Sequence, residues 1–312
     1  MAEAGRGSTL GVVLCTIVIA CVACGGGRND AASTRDSTRD GASTSAVTTI
    51  APESAVTLYD SAKYPSGPAG ASARRGFAIL AATRDSLPGY VGNSLRCFSC
   101  HIDNGRRANG IPLTGVYARY PNYTTRDGRE ITIQDRVNNC MRRSMAGRNI
   151  PMGSKEMNDI VAYLALVSHG VAVGSPVAGE GLPKMPQLSG DTSRGASIFT
   201  ARCARCHGVE GQGIPPATPL WGPNSYSIGA SLARIERAAS FIRHNMPFDS
   251  AGVLTDQQAY DVAAFVVSHA RRDSHGKELD WPNGGAPRDV PYDTRSGHKA
   301  FNPPGHLLPA AF

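Results

Sequence analysis

Two stretches of the chain carry the same helical rhythm of apolar positions. In and just before DIVAYLALVSHG (159–170), Met157, Ile160, Val161, Leu164 and Val167 recur at helical spacing, with Ser154 placed to cap the first turn. In YDVAAFVVSHA (260–270), Val262, Phe265 and Val266 repeat the pattern behind Thr255 and Gln258, which form a capping-box pair. A shorter helix is expected upstream of each, around 71–83 and 193–202, and Thr132 with Asp135 can cap another through DRVNNCMRRSM (135–145). The pattern predicts an all-α chain built as a tandem duplication.

The ends and the middle break this rhythm. Residues 10–23, LGVVLCTIVIACVA, form an apolar run of 14, too short for the ~20 residues of a membrane-spanning helix, and read as the core of a secretory signal. A lipoprotein signal places a cysteine directly after small residues. Cys24 in VACGGG is the preferred lipidation site, Cys21 in VIAC the alternative, and an ordinary signal peptide with a soluble product the plainer reading. The expected address is the periplasmic side of a bacterial membrane, touching the bilayer only through the lipid. Ala, Ser, Thr, Asp and Gly dominate the next stretch, which includes a tandem STRD and has too little apolar surface to repay ordering. The resulting division is a signal at 1–24, a disordered tether at 25–60, a first domain at 61–173, a Gly/Pro-rich linker at 174–188, a second domain at 189–272 and an extended C-terminal strap at 273–312. A length of 312 residues suits two domains of roughly 100 residues plus ends.

Within the repeat lies a repeated motif. Cys97-Phe98-Ser99-Cys100-His101 and Cys203-Ala204-Arg205-Cys206-His207 are both C-x-x-C-H, the attachment sequence of c-type haem. Two thiols on one short turn reach two vinyl groups of a porphyrin, and the adjacent histidine is held beneath the iron. Two covalently bound haem c groups are expected, making each domain cytochrome c-like. From His207, 39 residues lead to Met246, and a Met followed by Pro suits a distal ligand; from His101, 39 residues lead to Cys140. Cys140 could instead be a small buried core residue, with Met141 or Met145 as ligand and a plain electron carrier as the result. Against that stand the equal interval and a thiol left unpaired in an oxidising compartment. A thiolate ligand lowers the reduction potential and offers a nucleophilic sulfur to a substrate. His169, His244, His269 and His275 have no assigned role.

Charge sharpens the picture around Cys140. The chain carries a net +7, and residues 101–143 hold eight arginines against four acids. Guanidinium groups bind oxyanions in forked geometry, so an anionic substrate is expected; a solvated basic face is the plainer reading. A basic surface can also mean nucleic acid, but that does not account for a cysteine on iron, and no nucleic-acid partner is expected.

YVGNSLRCFSCHIDNG, PLTGVYARYPNYTTRDG, TIQDRVNNCMRRSMAGR, FIRHNMPF and DWPNGGAPRDVPY together give the chain, over residues 75–293, a sequence that resembles the thiosulfate dehydrogenases, dihaem c-type cytochromes of the bacterial periplasm. The resemblance implies oxidation of two thiosulfate to tetrathionate at a haem held by His101 and Cys140, with electrons leaving through a haem held by His207 and Met246 to a soluble cytochrome or other redox acceptor. It implies substrate-binding roles for Arg126 and Arg136. In some members a lysine directly precedes the distal Met; here Asn245 stands there. Three other readings are a dihaem electron-transfer protein without substrate chemistry, another cysteine-ligated sulfur-oxidising cytochrome subunit, and the same site run backwards as a tetrathionate reductase.

Overall fold

The computed structural model describes residues 64–312; the signal, both lipidation candidates and the tether up to residue 63 lie outside the described residues. In chain order come α1 (Gly67–Ala81), α2 (Thr83–Ser86), α3 (Ile102–Gly105), β1 (Asn122–Thr124), β2 (Arg129–Ile131), α4 (Ile133–Arg143), α5 (Lys155–Leu166), α6 (Thr192–Arg202), α7 (Ala204–His207), α8 (Ile235–Asn245), α9 (Asp256–Ser268), β3 (Arg271–Arg272) and β4 (Leu307–Leu308). The architecture is mostly helical, with a β1–β2 antiparallel hairpin and a short β3–β4 parallel pair. Neither strand pair is anticipated by the apolar pattern: β1 and β2 have three residues each, with Asn122, Tyr123, Arg129 and Glu130 exposed, and β3 and β4 have two each, too few for an alternation to read.

Caps mark the helix starts. Thr132 accepts from Asp135 N–H while Asp135 reaches back to the Thr132 N–H, so the boxed start of α4 is complete. Thr255 and Gln258 do the same for α9, and Ser154 accepts from the Met157 N–H at α5. Each such cap contributes about 1 kcal/mol. The first helix is displaced from expectation: it starts at Gly67, with Pro in its first turn, and breaks after Ala81.

Each domain closes by packing its first helix across its last, α1 on α5 and α6 on α9. The two crossings use the same parts. Gly76 faces the backbone of Asp159, where a Cβ would lie 1.9 Å from the Asp159 carbonyl oxygen; Gly195 faces Asp261, where the distance would be 2.0 Å. The residue before each glycine is an arginine that clamps the same acid: Arg75 Nε to Asp159 Oδ2 at 2.7 Å, and Arg194 Nε to Asp261 Oδ2 at 2.8 Å. Aromatic rings repeat too, with Phe77, Phe98 and Tyr163 in the first domain and Phe199, Trp221 and Phe265 in the second.

The two domains meet through buried polar contacts. Asn93 Nδ2 donates to the Ser225 carbonyl at 3.0 Å, Ser227 Oγ to the Arg143 carbonyl at 2.6 Å, and Asn245 Nδ2 to the Asn109 carbonyl at 2.8 Å. The C-terminal extension buries Trp281, Val290 and Tyr292 against Ile228, and Trp281 N–H donates to the Arg126 carbonyl, so the tail binds both domains.

Candidate functional site

Each attachment motif sits on a tight turn at the start of its domain's core. Cys97–Ser99 form a 3-10 turn whose first thiol takes a hydrogen bond from Thr83 Oγ1 at 3.3 Å. Cys203 caps α7, which ends on His207. In both copies the imidazole is aimed in the same way: His101 Nδ1 meets the Ile111 carbonyl at 2.6 Å, and His207 Nδ1 meets the Thr218 carbonyl at 2.8 Å. A carbonyl on Nδ1 fixes the tautomer and leaves Nε2 basic and free to ligate.

Cys203, Cys206, His207 and Met246 line one apolar cavity of ≈ 640 Å³ with Phe199, Phe241, Ile242, Val262 and Val266. Cys100, Phe98 and Leu95 of the first domain line the same cavity, so the two attachment segments share a wall. Beside it, Arg271 is fully buried, stacked 4.6 Å from the Tyr226 ring centroid and donating from Nη2 to the Val266 carbonyl at 2.8 Å. Its Nε and Nη1 are buried without a partner.

Cys140 occupies a second, polar cleft of ≈ 600 Å³. It lies inside α4, about one turn before the helix ends, whereas Met246 caps the end of α8. The equal sequence intervals therefore deliver the two sulfurs from different places on otherwise comparable helices. Arg136, one turn earlier on the same face, donates from Nη1 to Cys140 Sγ at 2.9 Å. Burial pushes this thiol up, but the Arg136 charge and the neighbouring His101 imidazole outweigh it and bring the pKa down to about 6. Burial drives the motif thiols the other way, Cys97 to about 11, Cys100 to about 12 and Cys203 to about 11. Met141 and Met145 are both packed into the first domain's core.

Arg126 reaches the same cleft but is held from behind. Its Nη2 donates to Asp280 Oδ2 at 2.7 Å, Tyr292 Oη at 2.7 Å and the Gly229 carbonyl at 2.7 Å, while its Nε donates to Asp280 at 3.0 Å and its guanidinium lies over Trp281. Asp280 also accepts from Arg143 Nη2 at 2.6 Å. The carboxylate that organises these arginines thus comes from the tail, a segment whose sequence offers no periodicity to place it. The linker is equally a working part: Leu182, Pro183, Lys184, Met185 and Gln187 wall the cleft. Arg234 and Arg237 enter it from the second domain, and only a fold, not a spacing, brings them to Cys140. Asn245 is wholly buried, and its amide nitrogen is committed to the Asn109 and Phe241 carbonyls. Among the unassigned histidines, His269 stacks on Trp221 at 4.0 Å and His244 bonds the Ser240 carbonyl. Among the described residues no cluster of three His, Cys, Asp or Glu side chains forms a bare metal site.

Comparison with known proteins finds a cytochrome c family match in each domain. The SoxA/TsdA cytochrome c domain family matches residues 90–173, and the cytochrome c family matches residues 192–270. The chain is 38% identical over 244 residues to a thiosulfate dehydrogenase of Psychrobacter arcticus, covering 75% of this chain and 74% of that protein. It is 39% identical over 231 residues to a thiosulfate dehydrogenase of Allochromatium vinosum, covering 70% and 86%. The solved thiosulfate dehydrogenase of Marichromatium purpuratum in its as-isolated form superposes with a TM-score of 0.64 at 33% identity over 67% of this chain; the chain spans about half of that solved protein, 48%. Cytochrome c domains carry covalently bound haem c, and the thiols and histidines described above are the donor set that such a group requires.

Proposed function

The chain belongs to the thiosulfate dehydrogenase family, and from that membership we propose that it oxidises two thiosulfate to tetrathionate at Cys140 and passes the electrons out through its second domain. One observation carries the assignment: the Cys140 sulfur, 2.9 Å from Arg136 Nη1, in the wall of a cleft lined by arginines.

Two haems fit the residues present. His101 and Cys140 would hold one, with Cys97 and Cys100 as its attachment thiols. His207 and Met246 would hold the other in the apolar cavity, with Cys203 and Cys206 attached and the orphaned Arg271 nitrogens available to a propionate. When bound, the pair supplies two one-electron acceptors for the two electrons of the reaction. The packed amide of Asn245 supports methionine ligation without a switch at that position.

The chain's own contribution is at sulfur. The Cys140 thiolate bonds to the sulfane sulfur of one thiosulfate, and two electrons leave as that S–S bond forms. The sulfane sulfur of the second thiosulfate then attacks the sulfur borne by Cys140, tetrathionate departs, and the thiolate returns. Arg136 keeps Cys140 ionised and, with Arg126, offsets the repulsion of two dianions. The same steps reversed constitute tetrathionate reduction. Electrons pass from the second domain to a soluble cytochrome or other redox acceptor, and the apolar run at 10–23 with Cys24, or Cys21, supports a lipid-anchored position on the periplasmic side of a membrane.

The test is Cys140→Ala in protein with both haems verified by absorption. Thiosulfate-dependent ferricyanide reduction should fall by about 10³-fold or more, as for loss of a nucleophile. Full turnover in that variant sinks the mechanism. In the wild type, mass spectrometry after a thiosulfate pulse should show one thiosulfate unit on the Cys140 peptide.

A further inference from the structure

The cleft around Cys140 holds more cations than its partners account for. Arg126 and Arg143 share Asp280, and Arg143 also faces Asp127 at 3.4 Å. Arg234 is bound to Asp289 through Nη2 at 2.6 Å and Nε at 2.8 Å, and the other Asp289 oxygen accepts the Glu236 N–H. Glu236 is taken by Arg288 at 2.7 Å. Arg136 has the thiolate.

Arg237 stands apart. It rises from the first turns of α8, lines the cleft with Cys140, and makes no hydrogen bond or ion pair among the described residues. The charges that act on it are Arg234, Asp289 and Arg136, two cations and one acid that is already engaged. Burial and the neighbouring cations both disfavour its protonated form, which is an expensive arrangement unless an anion completes it.

Lys184 lies on the exposed rim of the same cleft without a carboxylate partner among the described residues. Two uncompensated cations, both from outside the first domain, therefore face the wall that carries the nucleophile.

We propose that Arg237 is the anchor of the second thiosulfate, binding its sulfonate oxygens in a forked contact so that the substrate site is completed across the domain boundary. This rests on the thiosulfate-oxidising reading above. The first anion, bonded to Cys140 beside Arg136, repels a second one, and a separate guanidinium allows the second sulfane sulfur to approach. In that step a bond forms between the incoming sulfane sulfur and the sulfur borne by Cys140. The bond from Cys140 to that sulfur breaks, and its electron pair returns to the thiolate. No electron enters or leaves, because both departed when the first S–S bond formed. Arg126 and Arg136 serve the first anion and the thiolate; Arg237 serves the second anion and defines a specificity for small dianions ending in an oxyanion.

The experiment uses the full holoprotein with Arg237→Gln and Arg237→Lys, thiosulfate as substrate and ferricyanide as acceptor. R237Q should raise KM roughly tenfold to a hundredfold, the range for a lost charged hydrogen bond. R237K should fall between R237Q and wild type. After a thiosulfate pulse, the Cys140 adduct should accumulate in R237Q because its displacement, not its formation, is impaired. Haem absorption and both reduction potentials should match the wild type. An unchanged KM in R237Q overturns the proposal, as does a shifted potential of the first-domain haem with unaltered KM, which would make Arg237 a propionate partner. Wild-type protein inert to both thiosulfate and tetrathionate would instead overturn the parent reading, and this one with it.

Discussion

Asp280→Asn isolates what the C-terminal extension does for the cleft. The Asp280 carboxylate, almost wholly buried, accepts from Arg126 Nε and Nη2, Arg143 Nη2 and Tyr292 Oη over 2.6–3.0 Å. Asparagine keeps the shape but removes the charge and points an amide donor at one set of donors. Two arginines with side chains only 19% and 13% exposed then face each other with Asp127 as the remaining nearby acid. Removing one partner of a fully buried pair costs about 3–5 kcal/mol, and the residual exposure here places the loss at roughly 2–4 kcal/mol. In a folded body of this size 1 kcal/mol moves Tm by about 2–4 °C, so the holoprotein should melt roughly 4–16 °C lower. The assay is far-UV circular dichroism of haem-loaded protein, with Asp249→Asn as the control. Asp249 pairs with Arg205 in the open, at 59% and 55% exposure, and its loss should not register. If both variants melt within about 2 °C of wild type, the arginine–carboxylate cluster is not holding the strap and the reasoning fails.

Two further predictions concern the helix crossings. Gly76→Ala and Gly195→Ala each drive a methyl to within 1.9 or 2.0 Å of a carbonyl oxygen, so the helices must part; overpacking typically costs about 1–3 kcal/mol, and Tm should drop in both, while Gly153→Ala, with open space around it, should not change it. Asp159 and Asp261 are held ionised: burial opposes this, but Arg75, Lys155 and Ser72 at the first, and Arg194, the Asp191 N–H and Gln257 at the second, prevail and lower both pKa values. Their stabilisation is therefore fully present above the unfolded value of about 4 and is lost progressively as pH falls from there through the depressed folded values. Asp159→Asn and Asp261→Asn should lower Tm at pH 7, and the gap to wild type should shrink steadily as the pH is taken below about 4; a gap that stays constant across that range contradicts the assignment.

The two attachment motifs and the capped closing helices could be read directly from the chain, because each depends on residues close in sequence; Cys140 and Met246 stand out only through equal 39-residue intervals from His101 and His207. What escaped has a common cause. The Arg75-Gly76 and Arg194-Gly195 pairs serve identical crossings, yet they stand at different separations from Asp159 and Asp261, so an equal-interval search passes over them. The equal intervals hide a difference of placement, since the thiol emerges inside α4 and the methionine beyond α8. Asp280, Arg234 and Arg237 reach the cleft by tertiary folding alone; the stretch DWPNGGAPRDVPY that begins at Asp280 carries a family resemblance but no spacing that places it beside Arg126 and Arg143. Arg126 shows the converse: its identity was legible, but its engagement with Asp280, Tyr292 and Trp281 was not.

The shared wall between the two attachment segments, together with the buried bonds from Asn93, Ser227 and Asn245, bears on how the protein could be divided. A cut within 174–188 would look harmless by composition. It would leave one half with Cys140 facing open water and the other with a cavity missing its Cys100 side. The cleft and the apolar cavity are each walled by residues of both domains, so neither survives as a complete pocket in a separated half.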